Sequence, residues 1–450
     1  MSSTPVAESA PTPVRPWKNW WATFGRPPRI MGLDVARALA ILGMIGAHVG
    51  EAGGVVPFDV STWGGLVHGR SSILFAVLAG VSIALMTGRS VPPAPEQMPQ
   101  IRLRLLGRGA AIFLIGLCLE LLNTPIAVIL TVYGLLYIAV IPFLGWSVRR
   151  LLLASGALAV VAPPLLALVQ TLLLYPMGPG LDLVLFGTYP ITVWLALVLG
   201  GMAVGRTNPE RLCSAIRILI IGVVLAVIGY GTAALAAASL GDAYEDDSPS
   251  SSSSSWIDDS DFPMGVPAED MDLEGLVCDD YGDGYISCYP AGDHQYFEDG
   301  ASIDEAFDDG FFIDGWGNYP GMLAENDLGG AMLSALVTAD AHSGGTAEVL
   351  GSGGFALIVI GLCLLLSRPL RWVLLPVAAL GSMPLTAYSL HVMSFFVFAG
   401  PSGSLHSNAV WGISALALLV LATLWAIFLR RGPLERLVGW CADTMAGRVG

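Results

Sequence analysis

The chain has 450 residues, of which 54% are hydrophobic and only 13% are charged, and its formal net charge is −15. A soluble globular domain carries about a quarter of charged residues, so this composition excludes an ordinary soluble domain. Many apolar runs of about 20 residues predict an all-α, polytopic transmembrane helix bundle. We expect membrane lipids as partners and no nucleic acid.

The charge is unevenly distributed along the chain. Residues 240–345 hold 25 of the 36 acidic residues and no Lys or Arg, so 11 acidic and 21 basic residues remain elsewhere. The acidic segment and the basic remainder are therefore predicted to face different compartments. Lys18 is the single lysine, a codon-driven usage that points to a high-GC bacterial host.

Ten apolar spans are predicted along the chain. Residues 1–30 are a polar, proline-rich cytoplasmic tail, 31–239 hold spans one to seven, 346–430 hold spans eight to ten, and 431–450 form a second cytoplasmic tail. The spans are 31–50, 65–86, 103–122, 125–145, 151–174, 183–205, 213–239, 347–366, 373–398 and 408–430.

The placement of basic residues predicts the orientation. Basic residues precede the first span and follow every even-numbered span, whereas Arg70 is the only base in the odd-numbered loops. By the positive-inside rule, both termini are cytoplasmic and the multi-pass protein lies in the cytoplasmic (plasma) membrane.

Residues 240–345 are consequently predicted to be an acidic extracytoplasmic loop. Their serine-rich beginning is of low complexity, whereas the later part is aromatic enough for a small ordered cap. Cys278 and Cys288 either pair as a disulfide outside the membrane or stay free thiols. No spacing of His, Cys or carboxylate residues predicts a metal site.

Three polar residues of the first span, Asp34, Arg37 and His48, form a polar seam along an otherwise apolar helix. Eleven residues make three helical turns plus about 20°, so Arg37 and His48 share one face and lie about 16 Å apart along the axis. Asp34 is three residues before Arg37 and can pair with it. Intramembrane charges usually face a bundle interior or a wet cavity. A purely structural Asp34–Arg37 pair, with His48 as an interfacial residue, is the alternative.

Further ionisable residues gather at the predicted outer side. All six histidines (48, 68, 294, 342, 391 and 406) fall on or near it, which suggests proton-transfer chemistry there. His342 as a plain loop residue and His391 as a packed helix residue are the alternatives. The candidates at this side are His68 and Arg70 before the second span, His342 and Glu348 before the eighth, and Tyr388 and His391 in the ninth.

Four segments resemble a known family. "RIMGLDVARALAILGMIGAH", "GRSSILFAVLAGVSIALMTGR", "GSMPLTAYSLH" and "RRGPLERLVGW" together resemble the YeiB-like membrane proteins. The first two also resemble heparan-α-glucosaminide N-acetyltransferase, and Arg, ten residues, then His resembles the acyltransferase-3 signature. The resemblance covers about 30–240 and 340–440, without the acidic insert.

The resemblance implies a membrane acyltransferase that moves an acyl group, with acetyl as the expected one, from cytoplasmic acyl-CoA (acetyl-CoA) to an extracytoplasmic glycan or glycolipid. It implies His48 as the catalytic residue, with Arg37 as its partner on the donor side. Where the glucosaminide enzyme has its catalytic histidine, this chain has "FDVSTWGG", with Asp59 and no His.

Each candidate residue is then given a role. His48, His68 and Arg70 are predicted to be catalytic, with His48 as general base or transient acyl carrier and Arg70 as a donor to the oxyanion. Arg37, Asp34, Arg102 and Arg104 are predicted to bind the donor, and His342, Glu348, Tyr388 and His391 the acceptor.

Two other functions stay open at this point. A transporter or flippase would use the polar seam as a substrate or proton path, although the sequence shows no inverted repeat. A noncatalytic envelope or sensor protein would use the acidic cap to bind cations or a partner.

Overall fold

The computed structural model describes a body of helices. The described residues are 20–21, 23–51, 60–174, 179–240, 276–280, 286–290, 315–324 and 326–447, so Asp59 and His294 lie outside them. The helices are α1 Met31–Val49, α2 Arg70–Met86, α3 Met98–Glu120, α4 Leu130–Ala139, α5 Val148–Leu172, α6 Ile191–Arg206, α7 Leu212–Leu240, α8 Gly315–Ala324, α9 Leu328–Val337, α10 Thr346–Leu366, α11 Arg371–Gly381, α12 Pro384–Ala399, α13 Asn408–Phe428 and α14 Pro433–Met445.

Short turns and one hairpin complete the described structure. The 3₁₀ segments are Val60–Val67, Pro95–Gln97 and Ile141–Phe143, and single turns occupy Pro179–Leu181 and Asp182–Phe186. Within the acidic insert, strands β1 Leu276–Asp280 and β2 Ile286–Pro290 pair antiparallel, and their register places Cys278 opposite Cys288. The side chains of both cysteines lie outside the described residues, so the choice between a disulfide and free thiols stays a prediction.

Several helices are long and apolar enough to cross a membrane. In the described part of the chain there are six: Met31–Val49, Gly64–Met86, Val148–Leu172, Leu212–Ser239, Thr346–Leu366 and Asn408–Phe428. A seventh results if α11 and α12 are one broken span. Each of the ten predicted spans overlaps a described helix, and the count of ten itself stays a prediction.

Two predicted spans contain helices that are much shorter than expected. α4 has 10 residues and α6 has 16, whereas the predicted spans 125–145 and 183–205 are longer. Proline explains both, because it cannot donate a backbone hydrogen bond inside a helix. Pro142 lies in the 3₁₀ turn that follows α4, and Pro190 directly precedes α6.

The predicted span 373–398 is broken. α11 and α12 meet at an angle of 69°, with Pro384 at the first position of α12. Hydropathy alone reads the segment as one apolar run, but the proline ends the hydrogen-bond ladder of α11. Because of the bend, α12, which carries Tyr388 and His391, does not continue along the axis of α11.

The chain divides into two compact units, each with most of its contacts inside the unit. One comprises residues 239–326, with the hairpin and α8. The other comprises 1–238 and 327–450, so α9 packs with the helical body, against α5. The apolar α9 therefore lies inside the segment predicted to be an acidic loop, and it forms part of the bundle instead.

The packing of α2 on α6 is the most extensive in the bundle. Glycines make it close: a Cβ atom at Gly80 would overlap the carbonyl oxygen of Val198, and one at Gly201 would overlap that of Val77. Small residues at helix contacts are usual in membranes, because they let backbones approach.

We expect Gly80→Leu to lower the free energy of unfolding by about 1–3 kcal/mol, as overpacking does. Gly231→Leu is the matched control, since a Cβ there meets nothing within 4 Å. Thermal unfolding of the purified variants in detergent measures both. Equal melting temperatures would show that α2 and α6 are not in close backbone contact.

Candidate functional site

A buried carboxylate at the beginning of α1 binds two arginines. Asp34, which is 3% exposed, accepts from Arg37 Nη1 at 2.5 Å and from Arg29 Nε at 2.6 Å. Arg37 also donates to Ser82 Oγ on α2 at 3.3 Å and to the carbonyl of Gly381 on α11 at 3.5 Å. Because a buried ion needs charged and hydrogen-bonding partners, this cluster joins three helices. The predicted Asp34–Arg37 contact is present.

A cavity of about 300 Å³ adjoins Arg37 and is lined by residues of α1, α2, α3, α4, α12 and α14. Arg37 and Arg108 supply two guanidinium groups to its wall, and Arg108 lies over the ring of Tyr137, 5.9 Å from the ring centroid. Arg108 Nε and the hydroxyl of Tyr133 are buried and have no hydrogen-bond partner among the described residues. Glu435 also lines the cavity, but its carboxylate already accepts hydrogen bonds from the beginning of α12. Unpaired buried donors are costly, so the part of the wall around Arg108 is suited to an anionic, hydrogen-bonding ligand.

A second cavity of about 290 Å³ shares Met86 and Arg108 with the first. Arg104 lines it and pairs with Asp443 of α14 at 2.8 Å. Arg102 is exposed and lines neither cavity. Of the two predicted donor-binding arginines on α3, the structure therefore brings only Arg104 near the cavities.

At the other end of α1, His48 meets His391 of α12. His48 Nδ1 lies 3.1 Å from His391 Nε2, and the rings are parallel, with 3° between their planes and 5.4 Å between their centroids. His391 is 3% exposed, and His48 is partly buried. In a neutral pair one nitrogen donates and the other accepts, so this contact couples the tautomer of one ring to that of the other.

His68 and Arg70 lie at the beginning of α2. His48 lies near enough to His68 and His342 for their charges to influence it, and His391 is the histidine at hydrogen-bond distance from it. Arg70 Nε donates to the hydroxyl of Tyr230 on α7 at 2.7 Å. That hydroxyl lies 2.9 Å from Ser352 Oγ on α10. Arg70 is thereby held between α2, α7 and α10.

Glu348 is buried at the beginning of α10 and organises the loop before it. Its carboxylate accepts from the backbone N–H groups of His342 and Gly344, both at 2.8 Å, and from Ser343 Oγ at 3.2 Å. His342 is exposed, and its ring lies 5.6 Å from that of Tyr189, edge to face. Glu348 therefore supports the loop that presents His342.

Tyr388 is deeply buried on α12, one helical turn before His391. Its hydroxyl accepts from the backbone N–H of Ile129 at 3.4 Å. That hydrogen bond ties α12 to the beginning of α4. The structure thus places Tyr388 between helices, and its predicted contact with an acceptor stays a prediction.

Sequence reasoning overlooked the residues that complete the first cavity. The sequence analysis assigns no site role to Arg108, Tyr133 or Tyr137. A signal was present in both cases. Arg108 lies inside an apolar helix, and the tyrosines are four residues apart and so share one face.

Within the described residues, no group of three or more His, Cys, Asp or Glu side chains is placed to hold a metal ion.

The described helices include six that are long and apolar enough to cross a membrane, which is the class of a multi-pass membrane protein, and part of the chain matches an acetyltransferase family model. The matching family model is described as heparan-alpha-glucosaminide N-acetyltransferase, catalytic, and it spans residues 29–235. Over these residues the chain is related to the heparan-α-glucosaminide N-acetyltransferase-like membrane proteins. No curated protein and no solved structure matches the chain.

The matched range contains one part of the site. It holds the Asp34 cluster, both cavity arginines, His48, His68 and Arg70. His342, Glu348, Tyr388 and His391 lie beyond it. The structure thus assembles the site from the matched segment and from helices that follow the acidic insert.

We expect Asp34→Asn to lower the free energy of unfolding by about 3–5 kcal/mol, because two arginines lose a buried counter-ion. Asp443→Asn is the control: the Asp443 side chain is 43% exposed, and an exposed pair contributes about 0–1 kcal/mol. Thermal unfolding in detergent compares the two. The interpretation fails if both variants unfold at the same temperature.

Proposed function

We propose that this protein is a membrane acyltransferase that moves an acetyl group from cytoplasmic acetyl-CoA to an extracytoplasmic glycan or glycolipid. One observation carries the proposal. α1 connects a cationic cavity beside Arg37 with the His48–His391 contact, and the two residues lie about 16 Å apart on one helical face. A donor site and a proton-transfer site at two ends of one helix suit transfer across a membrane.

Acetyl-CoA is the donor in the related family in general, and the cavity wall fits such a molecule. The guanidinium groups of Arg37 and Arg108 can bind phosphate. Arg108 Nε and the Tyr133 hydroxyl have no partner among the described residues and can donate hydrogen bonds to the donor molecule. Arg104 lines the adjoining cavity and would attract the same anionic donor. Asp34 holds Arg37 in place and does not itself bind phosphate.

His48 acts as the general base. With Nδ1–H donated to His391 Nε2, the other ring nitrogen of His48 is the basic one. His48 removes the proton of an acceptor hydroxyl as that oxygen forms a bond to the thioester carbonyl carbon. The carbon–sulfur bond breaks, and His48 returns the proton to the departing thiolate. His391 is a positioning residue in this scheme, since it orients His48 and accepts from it throughout.

Other residues of the outer side support this step. Arg70, held by Tyr230, supplies a cation for the negative charge that develops on the carbonyl oxygen, and His68 adjoins it. Glu348 orders the loop that presents His342 beside Tyr189, where an acceptor would approach. Tyr388 positions α12 and thereby His391.

The orientation that this scheme requires is the one that the arginine distribution predicts. The cavity beside Arg37 then opens toward the cytoplasm, and the histidines and the acidic insert lie outside. The proposal includes ten spans, both termini inside, and the cytoplasmic membrane of a high-GC bacterium. Comparison of envelope glycans and lipids from a deletion strain, searching for one lost acetyl mass, identifies the acceptor.

We expect His48→Ala to lower acetyl transfer by about 10²- to 10⁴-fold, the contribution of a general base. The measurement is release of free CoA thiol from acetyl-CoA by membrane vesicles that contain the full chain. His406→Ala, at an exposed histidine, is the control and keeps full activity. A fully active His48→Ala variant contradicts the mechanism.

His391 is tested by a conservative pair of variants. Gln can still accept from His48 Nδ1, so His391→Gln keeps more of kcat than His391→Leu, and KM for acetyl-CoA stays unchanged in both. Equal losses of kcat in the two variants, with equal stability, would show that His391 only fills space.

We expect Arg108→Gln to raise KM for acetyl-CoA by about ten-fold or more, with little change in kcat, because a charge-assisted contact is worth about 1.5–3 kcal/mol. Arg102→Gln is the matched control, on the same helix but lining neither cavity. If Arg102→Gln raises KM and Arg108→Gln does not, the donor binds elsewhere.

A transporter or flippase is the second candidate, and one observation favours it. The α11–α12 break, bent by 69°, carries His391 at the centre of the candidate site, and broken helices are typical of transporter binding sites. Acetyl-CoA distinguishes the two functions, because it stabilises the purified protein against heat only if it binds the folded state.

A further inference from the structure

A long apolar groove lies away from the candidate site, between α5, α6, α7 and α10. Its volume is about 460 Å³. Leu152 and Ile221, on two of its sides, are 53% and 52% exposed, so the groove is open along its flank. Along α5 it extends from Val148 to Ala159, eleven residues and therefore about 16 Å.

This length equals one leaflet of a bilayer. The hydrocarbon core of a membrane is about 30 Å thick, so one leaflet is about 15 Å. A single acyl chain that enters from one leaflet would run along the groove from end to end. Three glycines, Gly156, Gly200 and Gly353, are among the residues that line the groove, and their lack of side chains leaves room for a chain of methylenes.

The groove has one polar end. Thr207, Ser214 and Arg217 line it where α6 ends and α7 begins, and Ser214 Oγ donates to the carbonyl of Thr207. Ser155, farther along, donates to the carbonyl of Ala196 and so presents no free hydroxyl hydrogen to the groove. Polarity is therefore concentrated at the end that the arginine distribution places on the cytoplasmic side.

Arg217 is the one charged residue among the described residues that line the groove. It is exposed, and no described acidic side chain forms an ion pair with it. By contrast, the buried Arg206 donates to the carbonyls of Trp146 and Leu144. Arg206 thus stabilises the fold, whereas Arg217 is an exposed cation at the apolar groove that has no ion-pair partner in the described part of the chain.

We propose that this groove binds one acyl chain of an anionic phospholipid of the cytoplasmic leaflet, with Arg217 on the phosphate. An uncharged apolar occupant would leave Arg217 unpaired, and a free anion would leave the apolar walls uncovered. A phospholipid with a net negative charge pairs its phosphate with Arg217 and covers the apolar walls with its acyl chain. The site is separate from the cationic cavity beside Arg37, with which it shares no lining residue.

The test compares dioleoyl phosphatidylglycerol with dioleoyl phosphatidylcholine, added to the purified full chain in detergent. Native mass spectrometry counts retained lipid, and thermal unfolding reports stabilisation. We expect saturable binding of one phosphatidylglycerol, tighter than phosphatidylcholine. Arg217→Gln weakens the binding of phosphatidylglycerol by about ten-fold, as the loss of one charge-assisted contact predicts. Arg211→Gln, at an exposed arginine outside the groove, leaves it unchanged.

The apolar part of the site is tested by filling it. A Cβ at Gly156 meets nothing within 4 Å, so Gly156→Phe adds a ring to the groove without striking the backbone. It abolishes the binding of both lipids, whereas Gly412→Phe, also in open space but on α13, does not. If Gly156→Phe is too unstable to purify, Gly156→Val takes its place.

Three results would overturn the proposal. Equal retention of the two lipids by every variant means that the groove holds only bulk annular lipid. A loss with Gly156→Phe but none with Arg217→Gln means an occupant without an anionic headgroup. A loss with Arg217→Gln alone means a surface anion site with no chain in the groove. None of these readouts requires acyl transfer, so they stand apart from the proposed function.

Discussion

The burial of one carboxylate, that of Asp34, sets the arrangement of this bundle. An ion inside a membrane protein is tolerated only when opposite charges and hydrogen bonds replace its water. Asp34 obtains both from Arg29 before α1 and Arg37 one turn later. Arg37 then reaches α2 and α11. The buried charge of Asp34 thereby ties the beginning of α1 to α2 and α11 through Arg37.

The consequences extend to both ends of α1. Near its beginning, Arg37 faces a cavity that Arg108 and two tyrosines complete. Near its end, His48 meets His391 at hydrogen-bond distance. α1 packs against α2, α10, α11, α12 and α13, so most of its surface is buried. A central, largely buried helix can hold two sites at a constant separation, as the proposed acyl transfer requires.

Interrupted helices create the space around these sites. α4 is short, and α11 and α12 are bent at Pro384, so some backbone in the bundle is not helical. Such backbone is tolerated at membrane depth only where protein groups satisfy it. The N–H of Ile129 before α4 donates to Tyr388, and Glu435 of α14 accepts from the N–H groups of Leu385 and Thr386 at the beginning of α12. Side chains from distant parts of the chain complete the interrupted ladders.

The sequence by itself determined the class of the protein, the polar seam and the pairing of Asp34 with Arg37, because these depend on composition and on neighbours within one helix. It also placed helices within all ten predicted spans. It missed the shortness of α4, the break at Pro384 and the role of Arg108. Only the tertiary structure decided that His48 contacts His391, 343 residues away, and that Arg70 is held by Tyr230. Helical periodicity relates residues on one helix, but which face of another helix packs against them depends on glycine contacts and proline bends that act over the whole bundle.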